Sequence, residues 1–292
     1  MKSFKDYNPI AVFMYFVFAI VPAMFCINPA LMCISLAGAA ALRITREGTK
    51  SLKTILPLLI FPLAAMIANP LFTHKGATTL FILNNNPITY ESAMFGLTAG
   101  VMITATLIWF TSFSKMMTTD KLLYVFGRIS PKIALILSMA LRYIPLYGLQ
   151  IRKVRHAQKV MGLYKEDNAI DKIRGGLRIF SVMVSWALEN GIITADSMTA
   201  RGYGTCKRTR FSIFRWFKED RMLLCASLVL TAVFICVMAF SGLDYIWYPT
   251  IAAPSMGAAA IAAYICYAIL AFLPTYLQLK EEARWRSLQQ ET

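Results

Sequence analysis

Long apolar stretches constrain this chain more than any other feature of its sequence. A helix of about 20 apolar residues is long enough to cross the hydrocarbon core of a bilayer. Hydrophobic residues make up 58% of the 292 positions and charged residues only 15%, which is too apolar for one soluble core. The sequence therefore predicts an all-α membrane protein with about six transmembrane helices, at roughly residues 10–27, 29–42, 54–72, 92–112, 222–241 and 254–274.

The distribution of positive charge predicts how these helices are oriented. The chain has 30 lysines and arginines against 15 acidic residues. If the N-terminus is cytoplasmic, the alternating spans place 29 of the 30 cations on the cytoplasmic side, and only Lys75 lies outside. Because cytoplasmic loops are enriched in lysine and arginine, we expect a multi-pass protein of the cell membrane with both termini in the cytoplasm.

Three regions follow from this pattern. Residues 1–114 form an N-terminal four-span membrane region, and residues 222–292 form a two-span region with a short cytoplasmic tail. Between them, residues 115–221 are too basic for a membrane domain, yet they contain apolar helical runs at 133–149 and 179–193. We therefore expect a cytoplasmic, half-embedded region of two long amphipathic helices between the fourth and fifth spans.

Both long helices are predicted to end at a glycine, which adopts the left-handed conformation that closes a helix. The first passes through a basic stretch and ends at Lys159-Val160-Met161-Gly162, and the second ends at Ala200-Arg201-Gly202. Arginine presents a planar fork of donors to carboxylates, and its charge is favourable at the negative end of a helix. Two similar ends suggest two docking points, although a capped helix end is the ordinary interpretation of the tripeptide Ala200-Arg201-Gly202 alone.

The sequence around these ends resembles the transmembrane T component of energy-coupling factor transporters. Ser197-Met-Thr-Ala-Arg-Gly-Tyr203, followed by Arg208-Thr-Arg210, is similar to that family's second signature. Upstream, Ser138-Met-Ala-Leu-Arg-Tyr-Ile-Pro145 resembles its Leu-Arg-Phe-Ile-Pro stretch. The resemblance covers roughly residues 10–275 and is most specific over 115–212.

The resemblance implies a non-catalytic scaffold in an ATP-driven importer of a vitamin or transition-metal ion. Its partners would be two cytoplasmic ABC-type ATPase subunits, a separate membrane S component that captures the substrate, and the lipid bilayer. Arg201, Ala200 and Gly202 match the ATPase-coupling signature, whereas Met161 stands where the first signature has arginine, so Lys159, Val160, Met161 and Gly162 match by position only. Arg142 and Pro145 would support the shape of the first coupling helix.

Other function classes remain as alternatives, chiefly a stand-alone secondary transporter of a small solute. Ion-coupled carriers commonly place acidic residues within their spans, and the six predicted spans contain none. A phospholipid-synthesising phosphotransferase needs an aspartate array that Asp196 alone does not supply. We also expect no nucleic-acid partner, no metal site and no cofactor, because no reading module and no metal-ligand cluster accompany the basic loops.

Overall fold

The computed structural model describes residues 7–83, 86–162, 169–205, 214–241, 245–252 and 257–290. The described chain is predominantly helical, as expected for an all-α membrane protein, with one short β-hairpin. The helices are α1 (Pro9–Phe25), α2 (Pro29–Glu47), α3 (Leu52–Leu58), α4 (Ile60–Phe72), α5 (Tyr90–Met116), α6 (Thr119–Ile129), α7 (Pro131–Val160), α8 (Ala169–Ala200), α9 (Lys218–Ser241) and α10 (Ala258–Gln290). Strands β1 (Thr79–Leu83) and β2 (Asn86–Thr89) precede α5.

The chain divides into two compact units. The core unit comprises residues 1–121 and 214–292, and the α7/α8 unit comprises residues 122–213. The first and third regions of the sequence analysis thus lie in one unit, because α9 packs on α1 and α10 packs on α2.

Hydrogen bonds between side chains and backbone carbonyls join α1 to α10 in the core unit. The Tyr15 hydroxyl donates to the carbonyl of Leu270 at 2.9 Å, and the Tyr267 hydroxyl donates to the carbonyl of Ala19 at 3.1 Å. Since the earlier residue of one helix meets the later residue of the other, the two helices are antiparallel. Tyr15 and Tyr267 are almost fully buried, so each bond satisfies a hydroxyl that would otherwise be costly to bury.

Helix α5 packs between α2 and α4. The indole nitrogen of Trp109 donates to Ser35 Oγ at 3.1 Å, and the Lys115 ammonium lies 2.6 Å from Glu47, so α5 is parallel to α2. The contact with α4 is close because it is made by glycine: a Cβ on Gly100 would lie 2.5 Å from the Cα of Pro62. Small residues at such contacts let two helix backbones approach each other.

The ends of α2 and α5 form an ionic cluster. Glu47 lies within ion-pair distance of Lys115 at 2.6 Å and of Arg43 at 3.6 Å, and Arg43 also donates to Thr111. The hydrogen bond from Lys115, with the positive charges of Arg43 and Arg46, lowers the pKa of Glu47. A lowered carboxyl pKa stabilises the fold above the ordinary carboxyl pKa, and this stabilisation is lost as the pH falls through the lowered value.

A single buried carboxylate connects the beginnings of α1 and α9. Asp220 is 1% exposed, and its two oxygens accept from the backbone N–H of Asn8 at 3.0 Å and of Phe217 at 2.9 Å. Asn8 in turn caps α1 through its side chain, which accepts from the N–H of Ile10. Asp220 therefore holds together two chain segments that are 212 residues apart.

Tyr7, the residue before Asn8, lies close to the same acidic group. Burial and the neighbouring charges of Glu219, Glu281 and Asp220 raise the pKa of Tyr7.

The apolar helices agree only partly with the predicted spans. Five segments of the described chain are long and apolar enough to cross a membrane: Lys53–Phe72, Tyr90–Met116, Pro131–Val160, Lys218–Phe240 and Ala258–Arg284. Helix α1 is shorter, and α2, whose last turns carry Arg43, Arg46 and Glu47, is not among them. Helix α7 is among the five, whereas the sequence predicts that its apolar run is half-embedded. The chain is a multi-pass membrane protein, and six crossings remain a prediction.

We predict that Asp220→Asn destabilises the protein. The substituted amide has only one acceptor atom, so one of the two N–H groups loses its bond to residue 220 and the other loses a charged acceptor. Losing a hydrogen bond to a charged group costs about 1.5–3 kcal/mol. Thermal unfolding of the purified protein in detergent should show a lowered melting temperature.

Glu219→Gln is the matched control, because it removes a charge from the same helix turn and leaves both Asp220 bonds in place. An Asp220→Asn protein as stable as this control would contradict the role assigned to the carboxylate.

Candidate coupling sites at two helix ends

The two long helices α7 and α8 form a paired unit that positions both candidate sites. Ile179 and Met183 are buried on one face of α8. The α7 residues packed against them are spaced three to four positions apart, which places them on one helical face. These α7 residues are Tyr147, Ile151 and Val154, and Trp186 of α8 joins the same cluster.

Polar and aromatic contacts define the relative direction of α7 and α8. Tyr143 and Thr194 share a hydrogen bond of 2.6 Å between their hydroxyl oxygens, and the rings of Tyr147 and Trp186 meet edge to face at 5.5 Å. The contact partner moves back along α8 as one moves forward along α7, so the helices are antiparallel. With a rise of 1.5 Å per residue, the ends at Val160 and Ala200 lie on the order of 35 Å apart along the pair.

Helix α8 ends in a Schellman motif. The N–H of Tyr203 donates to the carbonyl of Met198 at 3.0 Å, and the N–H of Gly202 donates to the carbonyl of Thr199 at 2.9 Å. Gly202 has φ +77°, the left-handed conformation that this motif requires. The predicted end of the helix at Gly202 is confirmed. Arg201 is the last residue before the turn, and its side chain is exposed.

Helix α7 ends in a similar way. Gly162 has φ +68°, and its N–H donates to the carbonyl of Lys159 at 3.0 Å, while the N–H of Met161 donates to the carbonyl of Ala157 at 3.1 Å. The predicted end of this helix at Gly162 is therefore also confirmed. The helix is continuous from Pro131 to Val160 with Pro145 in its interior, so its apolar and basic halves belong to one helix.

The two ends differ in the side chains they present. At the end of α7, Val160 is 88% exposed and Met161 is 62% exposed. Next to them, Lys159 is exposed as well. At the end of α8, exposed Ala200 and Arg201 stand beside Tyr203, which is 52% exposed. One end is therefore mainly apolar, and the other presents a guanidinium with an aromatic ring.

Tyr203 was not among the predicted site residues. Its position directly after Arg201-Gly202 is the signal that could have identified it, because Schellman turns commonly carry an apolar residue at that position. The stretch Arg208 to Arg210, which the resemblance also covers, lies outside the described residues. Arg142 and Pro145 lie within α7 with exposed side chains.

The described residues offer no metal-binding geometry: within them, no three His, Cys, Asp or Glu side chains are grouped as metal ligands would be. The exposed groups at the helix ends suit recognition of another surface by packing, hydrogen bonding and charge.

A family model matches most of the chain. It is the CbiQ model, described as cobalt transport protein, and it matches residues 3–213. That range includes both candidate sites.

Individual relatives carry a related name. The chain is 31% identical over 198 residues to the energy-coupling factor transporter transmembrane protein EcfT 1 of Listeria monocytogenes, which covers 62% of the chain and 72% of the relative. It is 29% identical over 151 residues to the EcfT protein of Streptococcus thermophilus, covering 46% of the chain and 57% of the relative. A match to the EcfT protein of Streptococcus equi, 27% identical over 114 residues, covers 38% of the chain and 42% of the relative. The chain thus spans less than two thirds of the latter two relatives.

We predict that Gly202→Ala loosens the end of α8. An L-residue in the left-handed conformation costs about 1–2 kcal/mol, and the Schellman bonds of Gly202 and Tyr203 would weaken accordingly. Hydrogen exchange measured by mass spectrometry should show about tenfold faster exchange at residues 202 and 203, as expected for a loss of that size.

Gly191→Ala provides the control, because Gly191 lies within α8 and a Cβ there would meet open space. It should leave exchange at the helix end unchanged and strengthen the helix slightly. Equal exchange in both variants would argue against a strained cap.

Proposed function

The chain belongs to the CbiQ family of cobalt transport proteins, and on that premise we propose that it is the transmembrane T component of an energy-coupling factor importer. In this role it would transmit the movements of two cytoplasmic ABC-type ATPases to a separate S component that captures a vitamin or transition-metal ion. The observation that carries the proposal is the α7/α8 pair, with two exposed, glycine-capped ends on the order of 35 Å apart.

The separation of the ends supports two docking contacts and disfavours one composite site. Each end terminates a helix of at least 30 residues, and the helices are joined by packed aromatic and aliphatic side chains. A displacement imposed at one end is therefore carried along a stiff element, which is what a transmission subunit requires.

We propose that Arg201 enters a groove on one ATPase and that the end of α7 enters a groove on the other. A helix end in a groove is a recurrent mode of recognition, in which an apolar anchor is seated and cations meet acidic rims. Val160 and Met161 would provide the apolar anchor at the α7 end, with Lys159 beside them. Ala200 and Gly202 are small, so they would let the second ATPase approach Arg201 closely.

We further propose that both termini, and the ends of α7 and α8 at Val160 and Ala200, face the cytoplasm. Asn28 at the beginning of α2 donates to the Tyr264 hydroxyl at 2.9 Å, and the later Gly38 lies against the later Ala271, so α2 is parallel to α10. Because α1 is antiparallel to α10, the end of α2 at Glu47 lies at the same end of the core unit as the Asp220 contact. Cations concentrate at that end, and the rule of positive cytoplasmic loops favours placing it inside.

We predict that Arg201→Glu leaves the protein in the membrane and abolishes its co-purification with the ATPases or uncouples ATP hydrolysis from uptake. Truncating a central interface anchor costs on the order of 2 kcal/mol or more, and charge reversal adds repulsion from an acidic groove. Assembly is measured by affinity purification from solubilised membranes, and coupling by uptake of labelled substrate.

Arg284→Glu, on the exposed surface of α10, makes the same change of charge in the other unit and should assemble normally. Unchanged assembly and transport by the Arg201→Glu protein would overturn the proposed mechanism.

For the α7 end we predict that Met161→Arg is tolerated, because the side chain is exposed and arginine is the residue that the family signature carries at this position. The same co-purification assay measures the effect. A severe loss of assembly would show instead that this end is recognised through apolar chemistry of its own.

A further inference from the structure

The β-hairpin of the core unit presents apolar side chains that the described residues of the chain leave exposed. Leu80, Phe81 and Ile82 are 60%, 56% and 69% exposed. Successive strand residues point to opposite faces, so Phe81 and Ile82 make both faces of this two-stranded ribbon apolar. Residues 79–89 include no ionisable side chain.

The base of the hairpin is held firmly against the helices. The Glu91 carboxylate, 3% exposed, accepts from the backbone N–H of Thr78 at 3.1 Å and from its hydroxyl at 2.8 Å. The Thr89 hydroxyl donates to the carbonyl of Lys75 at 2.9 Å, and the N–H of Ala77 donates to the carbonyl of Pro249 at 3.0 Å. The apolar strand is therefore presented on a fixed base.

The exposed apolar surface continues from the hairpin onto α4. The end of that helix leads towards the hairpin through Phe72, which is 85% exposed, and five residues earlier Ile67 is also exposed. Both residues belong to the segment Lys53–Phe72, which is apolar and long enough to cross a membrane. The apolar surface of the hairpin thus adjoins a helix that is long and apolar enough to cross a membrane.

Aromatic residues mark the same end of the core unit. Trp247 packs against Phe95 with ring centres 5.5 Å apart and against Tyr245 at 4.5 Å, and its indole nitrogen donates to the carbonyl of Ile27. Trp247 is buried in this cluster, whereas Tyr90, directly after the hairpin, is exposed and has the side chain type that is enriched where a membrane meets water.

We propose that the β1–β2 hairpin inserts its apolar side chains into the lipid at the membrane face opposite the ionic cluster of Glu47 and Lys115. A two-stranded ribbon has open edges whose backbone groups need water, so the ribbon lies at headgroup level. Leu80, Phe81 and Ile82 reach the acyl boundary, as the apolar faces of interfacial helices do. Lipid covers both apolar faces at once, whereas one protein groove would cover a single face. The proposal is independent of the transport role.

The test is site-directed spin labelling of the full chain in phosphatidylcholine vesicles. Ile82→Cys and Lys75→Cys, each in a background whose other cysteines are replaced by serine, receive a nitroxide. Power saturation then compares its collisions with oxygen, which concentrates in lipid, and with a water-soluble nickel chelate. We expect oxygen to dominate at position 82 and the nickel chelate to dominate at position 75, at the base of the hairpin.

A second measurement keeps the native cysteines. In the Phe81→Trp protein, vesicles of phosphatidylcholine with brominated acyl chains should quench the added tryptophan fluorescence, which is taken as the difference from the unsubstituted protein.

In the spin-label experiment, access of the nickel chelate to position 82, or a label there that neither reagent reaches, would overturn the proposal. The first result would show a hairpin in water and the second a hairpin covered by protein. Absence of quenching in Phe81→Trp would overturn it as well.

Discussion

Helices in a bilayer gain little by burying apolar surface against one another, because lipid chains are as apolar as leucine. The core unit therefore depends on contacts that lipid cannot replace. Gly100 brings α5 against α4, and Gly38 brings α2 so close to α10 that a Cβ would lie 2.7 Å from the Cβ of Ala271. Around these approaches, Tyr15, Tyr267 and Trp109 each donate a hydrogen bond to another helix.

The α7/α8 unit is built on a different balance. Its two helices meet along one face through aromatic and aliphatic side chains, and most of their remaining surface is exposed. Helix stiffness and two glycine caps, rather than a large core, define where the ends lie. Both helix ends are therefore exposed, as the proposed transmission role requires.

Sequence patterns predicted the helices best where local physics decides them. The glycine ends of α7 and α8 follow from the left-handed conformation, which is a property of one residue and its neighbours. The family resemblance assigns Arg201 and Met161 to the two signature positions, and their role remains a prediction. The number of crossings was harder to predict, because α1 and α2 are short or charged and α7 is apolar for much of its length. Hydropathy measures composition and cannot tell a span from an apolar helix that faces a partner.

By itself, the sequence determined the membrane class, the helical periodicity and the chemical contrast between the two helix ends, since these depend on composition and on residues near one another in the chain. Only the tertiary structure decided that α7 and α8 are antiparallel, which places their ends far apart. It also decided that Asp220 joins two distant segments, and that the hairpin presents apolar residues on both faces. These depend on contacts between residues distant in the chain, such as Tyr143 with Thr194 and Asn8 with Asp220, which no local pattern specifies.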